Sequence, residues 1–117
     1  MAIAERPVDL HHLDRYTGGE RSINEEILRL FDGQCVEMLA KLEELAGPGM
    51  DSKSWRLISH TLKGAARGIG AFALADAAAE AEKAADDTLC AIAALERIKA
   101  NSLAVHGFIE EFLKNTP

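Results

Sequence analysis

The sequence predicts an all-α protein, an antiparallel four-helix bundle with a short extra N-terminal helix. Three observations predict it. Apolar residues recur at alternating three- and four-residue spacings over long stretches, the repeat of helices packed side by side. No alternating apolar and polar run long enough for a strand occurs. Alanine, leucine and glutamate dominate, while only 5% of residues are aromatic and three are proline. A length of 117 residues suits one compact core without disulfides or metals, so a single domain over residues 1–117 is expected. No second domain, internal repeat or low-complexity segment is visible.

The elements follow in order. Asp9 to Tyr16 forms a short helix stopped by Thr17-Gly18-Gly19. Ser22 and Glu25 have capping-box spacing for a long helix with the seam Leu28, Phe31, Cys35, Met38, Leu42 and Leu45, ended by Gly47-Pro48-Gly49. Asp51 or Ser52 caps a helix with the seam Trp55, Ile58, Leu62, Ala65 and Ile69, which ends near Gly68-Ile69-Gly70. The next helix covers about residues 71 to 86, with Leu74, Ala78, Ala81 and Ala85 on one side, small enough for a neighbouring backbone to approach closely. Asp87 or Thr88 caps the last helix, whose seam is Ala91, Leu95, Ile98, Ser102, Val105, Ile109 and Phe112.

A net charge of −6 argues against a nucleic-acid partner, since phosphate backbones need a basic face. No signal-peptide pattern is seen, and no apolar run approaches the roughly 20 residues that span a bilayer. Cys35 and Cys90 lack metal-ligand spacing, and the seam position of Cys35 suggests a buried, reduced thiol. These features point to a cytoplasmic protein with no membrane partner.

His60 is the residue that points to function. It lies about 160° from Leu62 on a helical wheel, which directs it away from the seam. Gly64 and Gly68 follow at i+4 and i+8 on the same outward face. A mid-helix glycine costs about 1 kcal/mol relative to alanine, so two of them beside one exposed imidazole suggest that something large must come close. Between Asp51 and Asp76 there is no acidic residue, yet Lys53, Arg56, Lys63 and Arg67 lie there. Arg56 at i−4, Lys63 at i+3 and Arg67 at i+7 can flank the imidazole. Leu57, at i−3, offers an apolar contact to a docking partner. Neutral imidazole is a competent nucleophile, and a phosphoryl group on its nitrogen would carry charge that Lys63 can steady.

The string His60-x-Leu62-Lys63-Gly64-Ala65-Ala66-x-x-Ile69-Gly70-Ala71, with Leu74 beyond, closely resembles the histidine-containing phosphotransfer (HPt) domain family. Asp14-x-x-Thr17-Gly18-Gly19, followed by an apolar helix through Phe31, is similar to the start of that domain. Glu82, eight residues after Leu74, matches a position where the family often places Glu or Gln facing the phosphorylated histidine. The resemblance implies a phosphocarrier without kinase activity of its own. His60 would take a phosphoryl group from a receiver-domain aspartate and return it to another. Lys63 would be the phosphoryl-interacting lysine and Gly64 the access glycine. Arg67 is an extra basic residue of variable role, and Gly68 departs from the more usual polar residue at a docking position. The implied partners are response-regulator receiver domains or a hybrid histidine kinase, with the chain a monomer. No cofactor is implied, and magnesium is expected only in the receiver.

Other readings account for less. A dimerising sensor-kinase helix would follow its histidine with an acidic residue and, five positions on, a proline; Thr61 and Ala65 stand there instead. Gly68-Ile69-Gly70 begins like a nucleotide loop, but Ala73 replaces the third glycine and no strand precedes it. A metal-binding bundle wants Glu-x-x-His pairs, and none is present. His11 and His12 read as solvent-exposed terminal residues and His106 as an ordinary late-helix histidine. The serious rival is a regulatory bundle that binds a receiver or kinase through the same face and is never phosphorylated.

Overall fold

A computed structural model of the chain describes residues 6–115; the expected domain span of 1–117, and the N-terminal stretch inspected for a signal peptide, reach outside the described residues. The helices are α1 (Leu10–Thr17), α2 (Arg21–Leu45), α3 (Ser52–Ile69), α4 (Phe72–Lys83) and α5 (Thr88–Lys114), with no strand among the described residues. Helices α2 to α5 form an antiparallel bundle, with α3 on α2 and α4, and α5 on α4 and α2. Helix α1 lies against α2 and α3.

Three helices start on an aspartate whose carboxylate accepts orphan backbone N–H groups: Asp9 from His12, Asp51 from Lys53 and Ser54, and Asp87 from Cys90. The start of α2 departs from the expected capping box. The helix begins at Arg21 after Glu20, which makes no side-chain cap bond, and Ser22 lies inside it. Glu25 instead pairs with Arg21 at 2.9 Å. The turn before α2 is held another way. The Thr17 hydroxyl donates to Asn24 Oδ1 at 2.6 Å, and Asn24 Nδ2 donates to Asp14 Oδ1 at 2.8 Å. Asn24 is buried, so this network satisfies a polar side chain in the core and explains the Asp14-x-x-Thr17-Gly18-Gly19 pattern structurally.

The expected seams of α2 and α5 pack as buried or partly buried residues. On α3 the buried stripe is Trp55, Ser59, Leu62, Ala66 and Ile69, with Ile58 and Ala65 only partly buried. The expected seam residues Ile58 and Ala65 thus pack against the edge of the core, while Ser59 and Ala66 beside them are fully buried. The Ser59 hydroxyl is buried without a hydrogen-bond partner among the described residues. Helix α4 buries Leu74, Ala75, Ala77, Ala78 and Ala81 and stops at Lys83 rather than near residue 86. Residues 84–86 form a turn in which the Ala84 N–H bonds back to the Glu80 and Ala81 carbonyls, and Asp87 already caps α5. Helix α1 runs Leu10–Thr17 with Asp9 as its cap, a shift of one residue from the expectation. His12 is half-buried rather than exposed, edge-on to the rings of Tyr16 and Phe72.

Gly70 ends α3 with φ +87°, and a Cβ there would lie 2.6 Å from the Asp9 carbonyl oxygen. The Asp9 N–H donates to the Gly70 carbonyl at 2.9 Å, so the glycine both stops α3 and seats the segment before α1. Gly70→Ala is expected to destabilise the fold by about 1–3 kcal/mol from left-handed strain alone, with the clash against Asp9 in addition. Chemical denaturation of the variant checks this.

His106 joins α5 to α2 through Nδ1, 2.9 Å from Asp32 Oδ1, with Glu110 3.6 Å from Nε2. The Asp32 carboxylate raises the imidazole above its usual value, with Glu110 adding to the effect. A raised folded-state value gives stability that is fully present below the unfolded value, about 6.5. That stability disappears as pH climbs through the folded value. His106→Gln should therefore lower the melting temperature more at about pH 6 than at about pH 9. Equal losses at both pH values would contradict the ion pair.

Candidate functional site

The site forms where the middle of α3 faces the end of α4. Ser52, Trp55 and Arg56 project from the first turns of α3 toward the end of α4. The Ser52 hydroxyl donates to the Ala85 carbonyl at 2.8 Å, and the buried Trp55 indole N–H donates to the Ala81 carbonyl at 2.7 Å. Both acceptors lie at the end of α4 or in the turn after it, and the Ala81 carbonyl also accepts from the Ala84 N–H. Arg56 pairs with Asp86 at 3.1 Å. These contacts hold Glu82, the residue after Ala81, over the exposed face of α3.

Glu82 meets His60 and Lys63 together. One carboxylate oxygen, Oε2, lies 3.0 Å from His60 Nδ1, and the other, Oε1, accepts from Lys63 Nζ at 2.6 Å. Hydrogen bonding to Lys63 is the largest cause that holds the Glu82 carboxyl below the usual carboxylate pKa range, and the bond to His60 adds to it. The group is therefore an acceptor-only carboxylate at neutral pH, so Nδ1 of His60 must carry the hydrogen. The lone pair of the neutral ring then resides on Nε2, which has no hydrogen-bond partner among the described residues. The His60 side chain is 63% exposed, so that nitrogen faces solvent.

The remaining predicted site residues fall around this centre. Leu57, Arg67, Gly64 and Gly68 are all exposed along α3. A Cβ at Gly64 or at Gly68 would meet nothing within 4 Å, so packing inside the chain requires neither glycine. The expected basic patch is smaller than the sequence suggests. Arg56 and Lys63 are matched by Asp86 and Glu82, leaving Lys53 and Arg67 without an ion pair among the described residues. Asp86 was not among the candidates; its signal is its place at i+4 from Glu82, on the same side of the α4 end. No group of three or more His, Cys, Asp or Glu side chains is placed to hold a metal among the described residues. No described helix is long and apolar enough to cross a membrane. Cys35 is buried, where desolvation raises its thiol, and Cys90 is exposed.

A family model described as the Hpt domain matches residues 26–112. The chain belongs to the Hpt domain family. Hpt domains are phosphocarriers of phosphorelays rather than true enzymes, and they interact with receiver or kinase partners. No curated relative and no solved structure matched the chain. In this Hpt domain, the matched segment contains α3 and α4 entire, together with His60, Lys63, Gly64 and Glu82.

The open space at Gly64 yields a test of why it is glycine. Gly64→Ala should stabilise the helix by up to about 1 kcal/mol, since alanine is the better helix former and its methyl meets nothing. Gly64→Gln should fold as well as the wild type and yet slow phosphoryl exchange with a receiver, because its bulk stands one turn from His60. A glutamine variant that exchanges at the wild-type rate would show that access is not the reason.

Proposed function

We propose that this Hpt domain shuttles a phosphoryl group between receiver-domain aspartates, with His60 as the phosphorylated residue. The observation that carries the reading is the division of labour on the His60 ring. Nδ1–H is occupied by Glu82 at 3.0 Å, while Nε2 is free and exposed. In the forward step the Nε2 lone pair attacks the phosphorus of an aspartyl phosphate. The P–O bond breaks, and its electron pair stays on the departing aspartate carboxylate. Nε2 has no proton to lose, so no general base is needed at His60. The positive charge that develops on the ring forms beside the Glu82 carboxylate, which stabilises it. Return of the group reverses these steps.

Lys63 supports the phosphoryl group by charge. Its ammonium donates to Glu82 at 2.6 Å, and an ammonium has further donors to offer an incoming phosphoryl oxygen. Arg67, without an ion pair among the described residues, adds a cation one turn beyond Gly64. Leu57, Gly64 and Gly68 form the docking strip, and Arg56 acts indirectly by holding Asp86 at the end of α4. Magnesium, which would assist the aspartate chemistry, is assigned to the receiver's acidic pocket; the domain is taken to act as a cytoplasmic monomer. The full span 1–117 is read as one such domain.

His60→Gln is expected to keep the fold, since the ring is exposed, and to abolish acid-labile labelling by a phosphorylated receiver. Lys63→Ala should change receiver affinity less than about tenfold, because one rim charge contributes modestly to binding. It should slow single-turnover transfer by a larger factor. Labelling that persists in His60→Gln would remove the phosphocarrier reading. A wild-type protein that binds receivers but never takes label would instead establish the regulatory bundle.

A further inference from the structure

We infer that the exposed aromatic cluster of His12, Tyr16 and Phe72 is part of the surface that docks a receiver domain, where it takes up an apolar side chain of that partner. The inference rests on the receiver-facing role proposed for α3 and extends it to α1, which lies before the segment 26–112 that matches the family. Three aromatic rings meet at the surface there. The His12 ring stands edge-on to both of the others, its centroid 5.3 Å from Tyr16 and 5.1 Å from Phe72. Tyr16 is 74% exposed and Phe72 43% exposed. Edge-to-face contacts restrain the rings, so a partner meets a preformed apolar surface and loses little side-chain freedom on binding it. Large aromatic side chains left in water in this way are the kind that anchor protein interfaces.

The fold places this cluster at the end of the outward stripe of α3. That stripe runs from Leu57 through His60 and Gly64 to Gly68, and Gly70 ends the helix. Asp9 donates its N–H to the Gly70 carbonyl at 2.9 Å and also caps α1, so α1 begins where the stripe stops. Phe72 opens α4 on the other side of the same turn. It shares a stripe of α4 with Ala79, seven residues on, and Glu82, which reaches His60, follows three residues later. Gly68 lies about 12 Å from His60, at a rise of about 1.5 Å per residue. Neither Gly64 nor Gly68 raises a side chain along that stretch, so one partner face can touch both His60 and the rings. A standard interface covers about 800 Å² on each partner, a disc about 30 Å across. A receiver centred near His60 therefore reaches the cluster. Leu103, 72% exposed, offers a comparable apolar side chain elsewhere, on α5, which packs on α2 and α4 across the bundle from α3.

The test measures binding of receiver domains encoded in the same genome, held in the phosphorylated-like state with beryllofluoride. Each is titrated against the whole chain and against Tyr16→Ala, Phe72→Ala and Leu103→Ala. Tyr16→Ala changes an exposed side chain and keeps the fold, so it decides the matter even where Phe72→Ala perturbs the start of α4. Tyr16→Ala and Phe72→Ala should each weaken receiver binding about tenfold, the loss typical of an interface anchor. That loss should persist from about 50 mM to about 300 mM salt, because an apolar contact is not screened. Single-turnover transfer should slow at low receiver concentration and recover at saturation. Leu103→Ala should bind as the wild type does. Wild-type affinity in Tyr16→Ala, a loss matched by Leu103→Ala, or a loss that disappears at high salt would each overturn the inference and leave the phosphocarrier reading standing. A wild-type dimer in sedimentation that Tyr16→Ala dissolves would assign the rings to a second copy of the chain, and overturn it too. Failure of every receiver to bind the wild type would overturn the receiver reading itself, and the inference with it.

Discussion

The hydrogen bond from the buried Trp55 indole to the Ala81 carbonyl is the contact on which the site depends. It ties the end of α4 to a side chain already committed to the core, the Ala81 carbonyl accepting from the Ala84 N–H as well. Breaking such a bond in the interior leaves the buried indole N–H unpaired, worth about 1–3 kcal/mol. The register between α3 and α4 is therefore fixed at that point. Glu82 is the next residue along, and its reach to His60 and Lys63 follows from that register. Ser52 on Ala85 and Arg56 on Asp86 reinforce the same end of α4. The alanines of α4 supply the other half of the constraint, since Ala75, Ala78 and Ala81 leave room for the helices to approach closely.

A division between rigid and open parts of α3 follows. One stripe of the helix, from Trp55 to Ile69, is committed to the core, and Gly70 is held by both its backbone angle and the Asp9 carbonyl. On the opposite stripe His60 meets Glu82, Leu57 is exposed, and a Cβ at Gly64 or Gly68 would meet nothing within 4 Å. Two glycines of one helix are thus glycine for different physical reasons. Gly70 is required by the fold, whereas at Gly64 only events outside the chain can supply a reason.

The sequence displays the local part of this arrangement and hides the long-range part. Helix caps at Asp51 and Asp87, the breaker glycines and the outward position of His60 are all set by neighbours within a turn or two, so their pattern is visible along the chain. On α3 the expected seam residues Ile58 and Ala65 do pack against the core, but the apolar pattern does not reveal that Ser59 and Ala66 are buried more completely. The end of α4 was overextended for a related reason. Ala84 and Ala85 are good helix formers, and what stops the helix is a turn supported from α3 and by the next cap, which no local propensity reveals. The Ser22–Glu25 capping box had the right spacing, yet Glu25 was engaged by Arg21 and the turn was held by Asn24 instead.

Charge shows the same limit most clearly. The run from Lys53 to Arg67 has no acidic residue of its own and reads as a basic patch. In the folded chain α4 and its following turn bring Glu82 and Asp86 to it, and two of the four cations are neutralised. Family resemblance placed Glu82 near the histidine, but its simultaneous hold on His60 and Lys63 is a property of the helix register. A strongly cationic site would bind the phosphoryl group tightly and be slow to release it. A carrier has to give the group up again, and a carboxylate that restrains Lys63 while holding the ring proton serves release as much as capture. Glu82 restrains Lys63 while Lys53 and Arg67 stay outside any ion pair among the described residues, so the face is weakly rather than strongly cationic.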